Sequence, residues 1–257
     1  MSTLFRLDLS APHQIYRTRD GIKRPGMTTV LGVYGKDGLL PWYADMEREG
    51  IWQSMGLGQW SAEELKKVHP RTKEGKFACY AVLHRDKAAD LGDVVHAHNQ
   101  AWLNGGMLDP DGIDPTMYAD ALIPHDRFRA WVRESGCTLI CTEHMMVSER
   151  WKIGGTGDAF FRAPDGLVEY WDTKTTKPWK DGIPYDEVIA QSAGYAEMYH
   201  EETGERVARI RIARTGKTVA DVGTLYPMSD GERRIGVGLV ETAIAAYNLK
   251  QELKNLR

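Results

Sequence analysis

The sequence predicts an α/β fold of the α+β kind, with a mixed central sheet flanked by helices and a helical N-terminal region. Two observations indicate it: strand-like and helical runs alternate after residue 135, whereas the first part reads as mostly helical after a short hairpin. The 257 residues are 42% hydrophobic and 27% charged, which is typical of a globular chain. We therefore expect one domain over 1–257, with a mainly helical part at 1–110 and a core at 111–257.

The N-terminal elements follow from turn and helix-stop signals. The Asp20-Gly21 dipeptide in "YRTRDGIKRPG" predicts a hairpin. The run "KFACYAVLHRDKAADLGDVVHAHNQAWLN" predicts a long helix that ends at Gly105-Gly106. A second helix is expected over 116–135, ending at Gly136.

The remaining elements have strand composition or helical period. Three strands are expected in "CTLICTEHMMVSER", "KIGGTGDAFFRA" and "GLVEYWDTKT", followed by a helix in "PYDEVIAQSAGYAEMYHEET". Two more strands, "RVARIRIAR" and "TVADVGTLYP", flank a "TGK" turn. A last amphipathic helix is expected from about residue 233 to the C-terminus.

The strand "GLVEYWDTKT" carries an unusual pair of charges. Successive side chains of a strand point to opposite faces, so Val168, Tyr170, Asp172 and Lys174 share one face. An isolated Asp-x-Lys is usually a surface ion pair worth about 0–1 kcal/mol. Here the pair continues an apolar face, which favours a site.

A second carboxylate, Asp158, lies in the preceding strand. The turn "APDG" returns the chain, so the two strands are expected to pair antiparallel and to bring Asp158 near Asp172. Adjacent buried carboxylates repel unless a cation lies between them. Magnesium or manganese suits carboxylate ligands, and the ammonium of Lys174 could offset charge on a phosphate oxygen.

Composition bounds the class of protein and its setting. The formal net charge of −3 does not indicate nucleic-acid binding by the molecule as a whole. No run approaches the ~18 apolar residues of a membrane span, and the N-terminus does not read as a signal peptide. Three cysteines do not make a disulfide framework, so we expect a reduced, cytoplasmic (intracellular) protein with no membrane partner.

The spacing of these residues resembles a known superfamily. Gly155-x-x-Asp158, followed after thirteen residues by Asp172-x-Lys174, is similar to the core motif of the PD-(D/E)xK nucleases. This resemblance implies a restriction-endonuclease-like core. Gly157 stands where many members have proline before the first aspartate.

Further motifs narrow the resemblance to the RecB-like exonuclease branch. Gln191-x-x-x-Tyr195 resembles its QxxxY signature, and Gly92-x-x-x-His96 resembles its helical Gly-x-x-x-His. The segment 24–46 is similar to the N-terminal segment of RecB-like phage exonucleases and of the mitochondrial genome maintenance exonuclease.

The resemblance implies roles for individual residues. Asp158 and Asp172 would bind metal, with the backbone carbonyl of Thr173 completing the coordination shell. His96 would be a further ligand that favours Mn²⁺ alongside Mg²⁺. Lys174 would position the attacking water, so that phosphodiester bonds are hydrolysed through metal-activated water.

Other roles keep their alternatives. Gln191 and Tyr195 lie four apart on one helix face and would contact DNA, although packing explains them as well. Glu143 occupies the strand where relatives often have a supporting glutamate, here counted among the catalytic residues. A lone histidine is more often a packing residue, and only the family pattern selects His96 over His98, about 200° round the helix.

The expected function is a metal-dependent DNA exonuclease acting on single-stranded or duplex DNA with free ends, in recombination, repair or replication. Recombination or replication proteins are the further partners that this role implies, and a phage origin is one alternative. The other readings are a structure-specific endonuclease and a non-catalytic nucleic-acid-binding module on a nuclease-like fold. No cysteine follows Cys141, so we expect no iron–sulfur cluster.

Overall fold

The computed structural model describes residues 3–7, 14–34 and 80–257, and for residues 80–86 it describes the backbone only. The chain divides into two compact units, one formed by 1–34 with 92–257 and the other by 35–91. The residues of the candidate metal centre belong to the first unit. Residues 35–79 of the part expected to be mainly helical, and the part of the 24–46 resemblance beyond residue 34, lie outside the described residues.

Short elements come first along the chain. Strand β1 (Leu4–Phe5) is followed by the antiparallel hairpin of β2 (Tyr16–Arg17) and β3 (Lys23–Arg24), as the Asp-Gly turn predicted. Helix α1 (Met27–Leu31) comes next and leads into a 3₁₀ turn. A parallel bridge from Gly26 to Gly154 joins this segment to the central sheet.

Two long helices follow, and both begin or end where the sequence predicts. Helix α2 (Tyr80–Leu103) is followed by β4 (Met107–Leu108), which pairs with β1. Helix α3 (Pro115–Ser135) starts with Asp114, whose side chain accepts from the Met117 backbone. It ends at Gly136, whose φ of 65° lies in the left-handed region that glycine adopts freely.

The central sheet has five strands in the order β5-β6-β7-β8-β9, which confirms the predicted mixed α/β architecture. The strands are β5 (Thr138–Ser148), β6 (Ile153–Arg162), β7 (Val168–Lys174), β8 (Val207–Arg214) and β9 (Thr224–Pro227). Only β7 and β8 are parallel, and helix α4 (Asp186–Thr203) provides the crossover that a parallel pair needs. Helix α5 (Asp230–Asn255) closes the described fold.

Both faces of the sheet are covered by helices. On one face, Phe160 of β6 stacks on Tyr199 of α4 with ring centroids 4.1 Å apart. On the other face, Trp171 of β7 meets Phe128 of α3 at 6.2 Å. Because β7 alternates, Tyr170 and Asp172 lie on the α4 face, where the candidate site is built.

The structure corrects the sequence prediction at two places. The strand expected over 218–227 exists only at 224–227, because Asp221 accepts from Arg214 and from the Gly223 backbone and so holds 218–223 in a loop. Helix α5 begins at Asp230 rather than 233, because Ser229 and Glu232 form a reciprocal capping box. Among the described residues, no helix combines the length and apolarity needed to cross a membrane.

Candidate metal centre

The register of β6 and β7 brings two aspartates opposite each other. Ala159 pairs with Trp171 in this antiparallel ladder, so Asp158 and Asp172 occupy the next position of the same register. The backbone N–H of Thr173 donates to Oδ2 of Asp158 at 2.6 Å. The antiparallel pairing predicted from the "APDG" turn is confirmed.

Asp172 is the most enclosed acid of the site. Its side chain has no exposed surface, and its Oδ1 accepts from the Tyr170 hydroxyl at 3.0 Å. Its Oδ2 lies 2.7 Å from Nζ of Lys174, an ion pair, yet no described hydrogen-bond donor is aligned with that oxygen. Tyr170, Asp172 and Lys174 thus share one face, as the strand period predicts.

Glu143 and His96 meet Asp158 from the other side. Thr142 and His144 of β5 pair with Ala159 and Gly157, so Glu143 lies opposite Asp158 in the same ladder. From helix α2, Nδ1 of His96 lies 3.4 Å from Oε1 of Glu143 and 3.6 Å from Oδ2 of Asp158.

These three residues could hold one ion. One ligand atom from each of His96, Glu143 and Asp158 lies within 4.8 Å of the other two, and all three residues are partly buried. His98 turns away from this group and stacks on His125 with ring centroids 5.2 Å apart. The structure therefore brings His96, and not His98, to the carboxylates.

The backbone at Glu143 is unusual. Its φ is 47°, in the left-handed region that a residue with a side chain occupies at a cost of about 1 kcal/mol or more. This conformation lies in the middle of β5, where an extended backbone is the rule. Strain of this kind is retained where the surrounding structure fixes it, and here it sets the direction of an acidic side chain beside Asp158.

Helix α4 contributes a chain of hydrogen bonds to the lysine. Lys174 Nζ donates to Oε1 of Gln191 at 3.0 Å, and Nε2 of Gln191 donates to the Tyr195 hydroxyl at 3.2 Å. The four-residue spacing that places Gln191 and Tyr195 on one helix face is therefore used to orient Lys174. Contact of either residue with DNA stays a prediction.

Tyr195 also contacts the first motif of the sequence. A Cβ at Gly155 would lie 2.3 Å from Cε1 of Tyr195, so only glycine leaves room for the ring. The ring is almost fully buried, with 4% of its residue surface exposed. The Gly155-x-x-Asp158 and Gln191-x-x-x-Tyr195 motifs are thus in van der Waals contact.

Burial dominates the electrostatics of the two aspartates. Burial raises the pKa of Asp158, and the charges of His96 and Lys174 offset that only in part. The pKa of Asp172 is raised in the same way by burial, against the opposing charge of Lys174. At both carboxylates, burial therefore outweighs the effect of the positive charges nearby on the pKa.

The two basic groups respond to these acids. Burial by itself lowers the pKa of His96, but the charge of Asp158 and the hydrogen bond and charge of Glu143 outweigh it and raise the pKa to about 9. For Lys174, burial is likewise outweighed by Asp172 and Asp158, which raise its pKa. Lys174 is therefore an ammonium group at neutral pH.

The donor set fits a divalent cation. Carboxylate oxygens with one imidazole are ligands that Mn²⁺ accepts and Mg²⁺ partly shares. The buried Oδ2 of Asp172 contacts the Lys174 ammonium at 2.7 Å without an aligned hydrogen bond, so this oxygen can take a metal ion as a further partner. Asp172 is not part of the group of three formed by His96, Glu143 and Asp158. Thr173 enters through its N–H, and a role for its carbonyl oxygen stays a prediction.

Two features of the site were not predicted from the sequence: the contact made by the Tyr170 hydroxyl and the backbone conformation of Glu143. The strand period predicts that Tyr170 lies on the face of Asp172, but it assigns no role to the hydroxyl. In the structure this hydroxyl donates a hydrogen bond to one carboxylate oxygen of Asp172. Because the two side chains lie on one face of β7, the alternation of the strand could have indicated this contact. The left-handed backbone of Glu143 has no signal in the residue types around it.

Comparison with known proteins gives matches only among solved structures. No protein-family model matches the chain, and no curated protein matches it. A provisionally named exonuclease of Eubacterium rectale is 16% identical, with 65% of this chain and 72% of that chain covered at a TM-score of 0.41.

The alkaline exonuclease LHK-Exo of Laribacter hongkongensis is also similar. It is 18% identical, with 67% of this chain and 87% of that chain covered at a TM-score of 0.30. A structure of LHK-Exo with dAMP gives 16% identity, coverage of 66% and 92%, and a TM-score of 0.34. Similarities of this extent assign no activity.

Proposed function

We propose that this protein is a divalent-metal-dependent DNA exonuclease. The observation that supports it is the convergence of Asp158, Asp172 and Lys174 on one face of the sheet, with Glu143 and His96 adding possible metal ligands beside them. Two acids that would hold a divalent cation, together with an ammonium, suit hydrolysis of a phosphodiester, because the substrate brings negative charge and more develops during the reaction.

Asp158, Asp172, Glu143 and His96 would hold the cation. When bound, the ion would supply Lewis acidity, which polarises the phosphate and increases the acidity of water. The carboxylates then have the counter-charge that their burial calls for. A site of one imidazole and several carboxylates favours Mn²⁺ or Mg²⁺.

Lys174 would act on the phosphate and on the attacking water. Its ammonium is held between Asp172 and Gln191, so its third hydrogen points from a fixed position. In hydrolysis a water oxygen bonds to phosphorus while the bond to the leaving sugar oxygen breaks. A fixed ammonium beside the phosphate stabilises the charge that builds up on its oxygens.

The positioning of Lys174 depends on residues behind it. Gln191 accepts from the ammonium and donates to Tyr195, whose ring is enclosed against Gly155. Such support keeps a reacting group within a fraction of an ångström of its working position. We therefore assign Gln191 and Tyr195 a positioning role; direct contact with DNA remains part of the same proposal.

The proposal includes an intracellular role in DNA recombination, repair or replication, together with proteins of those processes. Its first test is incubation of purified protein with 5′- and 3′-labelled single strands, duplexes and covalently closed circles, with Mg²⁺ or Mn²⁺. We expect linear DNA to be degraded and circles to survive. Asp172→Ala and Lys174→Ala should abolish detectable degradation in this assay.

Other results of this assay have defined meanings. Cutting of closed circles would make the protein an endonuclease. Binding of DNA without cleavage, unchanged in Asp172→Ala, would make it a non-catalytic module. Intact DNA of every form with either metal would overturn the enzymatic proposal.

A further inference from the structure

Two lysines, Lys177 and Lys217, follow the carboxyl ends of the parallel strands β7 and β8, where Lys174 of the candidate site also lies. Lys174 of β7 is the register partner of Arg214 of β8, and the Thr215 backbone N–H donates to the Lys174 carbonyl at 3.0 Å. Lys177 and Lys217 each come three residues after this pair. Three residues span at most about 11 Å, so both lysines start close to the end of the paired strands.

The backbone that carries Lys177 is anchored. Arg214 donates to the carbonyl of Thr176 at 3.3 Å. Two residues beyond Lys177, the buried side chain of Trp179 packs with Ile189 and Ile212. Lys177 itself is exposed between these two anchors.

The backbone that carries Lys217 is anchored as well. Arg127 of α3 donates through Nη1 to the carbonyl of Thr215 and through Nη2 to that of Thr218 at 3.4 Å. Arg214 and Asp221 form a two-pronged ion pair, at 2.7 and 2.8 Å, that closes the loop behind Lys217. The loop is therefore held on both sides of the lysine.

Neither lysine has an acidic partner in the part of the chain that the structure describes. Among the described residues neither lysine forms an ion pair, and the nearby Asp221 forms its ion pair with Arg214. Burial lowers the pKa of Lys217, and the charge of Lys177 lowers it further. Two like charges on anchored backbones repel, and an anion between them would relieve the repulsion.

We propose that Lys177 and Lys217 form a phosphate-binding pair that holds the DNA backbone next to the scissile phosphate. This inference rests on the proposed function and names the surface by which the substrate strand reaches the site. Both lysines follow the carboxyl ends of β7 and β8, the end of the strand pair at which Lys174 lies. Lysine binds phosphate as a point charge and reads no base, so the pair favours no sequence.

The test is DNA binding as a function of salt. Fluorescence anisotropy with a labelled single strand in EDTA compares the full chain with Lys177→Met, Lys217→Met and the double variant. Methionine keeps most of the aliphatic stem and removes the charge. Each lost phosphate contact should reduce the slope of log K against log salt by about 0.7, and the double variant by about 1.4.

The matched control is the Lys250→Met/Lys254→Met variant on exposed positions of α5, which makes the same change in net charge. Its slope should equal that of the wild type, and weakening in the lysine-pair variants should be uniform across DNA sequences. A wild-type slope in the double variant, or an equal change in the control, would overturn the inference. Thermal melts establish that the variants are folded.

The two proposals fail separately. The wild type could bind DNA without cleaving it in Mg²⁺ or Mn²⁺, while the double variant shows the expected reduction of the salt slope. That result would contradict the exonuclease proposal and support the phosphate-binding pair. Cleavage by the wild type with an unchanged slope in the double variant would do the reverse.

Discussion

The ring of Tyr195 occupies the space that a side chain at Gly155 would need: a Cβ there would lie 2.3 Å from Cε1 of the ring. Gly155 begins the strand segment that presents Asp158, and Tyr195 ends the hydrogen-bond chain that reaches Lys174 through Gln191. The acids and the ammonium are therefore positioned by one packed contact between β6 and α4.

This contact predicts the effect of adding one carbon. Gly155→Ala should lower the free energy of unfolding by about 1–3 kcal/mol, because the buried ring must move. Displacing Tyr195 should also lower kcat. Chemical denaturation and single-turnover cleavage measure the two effects.

A second glycine provides the control for Gly155→Ala. Gly238 lies within α5, and no described atom is within 4 Å of the position its Cβ would take. Gly238→Ala should therefore raise the free energy of unfolding by about 0.5–1 kcal/mol and leave cleavage unchanged. If both substitutions had the same effect, the close packing of Tyr195 would not be the cause.

Substitutions of Lys174 and Asp172 should distinguish an effect on the chemical step from an effect on metal binding. Lys174→Met should lower the single-turnover rate by about 10²–10³, the usual effect of removing one group that stabilises transition-state charge. It should still bind Mn²⁺. Asp172→Asn should lose both cleavage and Mn²⁺ affinity, because it removes a carboxylate that would hold the ion in the proposed site. Equal Mn²⁺ affinity in Asp172→Asn and the wild type would remove Asp172 from the metal centre.

Glu143 should behave as a metal ligand despite its position on the edge strand. Its carboxylate lies 3.4 Å from His96 within the group of three. Glu143→Gln should weaken Mn²⁺ binding by about 10–100-fold, as measured by calorimetric titration. Glu252→Gln, an exposed position on α5, is the matched control and should bind Mn²⁺ as the wild type does.

The buried histidine His125 predicts a loss of stability in acid. Burial, together with the charges of His98 and Arg129, lowers its pKa to about 3 from the ordinary 6.5. Below pH 6.5 the unfolded chain therefore binds a proton that the folded chain does not, and stability falls as the pH drops toward 3. The slope is about 1.4 kcal/mol per pH unit for one such group.

Urea denaturation at pH 7 and pH 5 measures this dependence. His125→Gln should lose about 2 kcal/mol less than the wild type between the two pH values, because glutamine takes up no proton. His98, whose pKa burial lowers to about 4, still titrates in the variant and accounts for part of the remaining loss. The same pH dependence in both proteins would contradict a buried, neutral His125.

Much of the site could be predicted from the sequence because its strands obey local rules. A turn between two short strands fixes their antiparallel pairing, and the two-residue period then places Asp172 and Lys174 on one face. Four-residue spacing likewise places Gln191 and Tyr195 together. These relations involve neighbours along the chain.

Other features depend on long-range packing. His96 reaches Asp158 because α2 crosses to the sheet, which no spacing within the helix specifies. The left-handed backbone of Glu143 is a local departure imposed by its surroundings. The loop at 218–223 reads as a strand by composition, but the Arg214–Asp221 ion pair and the Gly223 turn override that propensity.

The most direct test of the metal centre is a titration with Mn²⁺ followed by electron paramagnetic resonance. The wild type should convert added Mn²⁺ into a bound form at a defined stoichiometry. The Asp158→Asn/Asp172→Asn variant, verified as folded by circular dichroism, should leave the ion free in solution. If that variant bound Mn²⁺ as tightly as the wild type, the two aspartates would not form a metal centre.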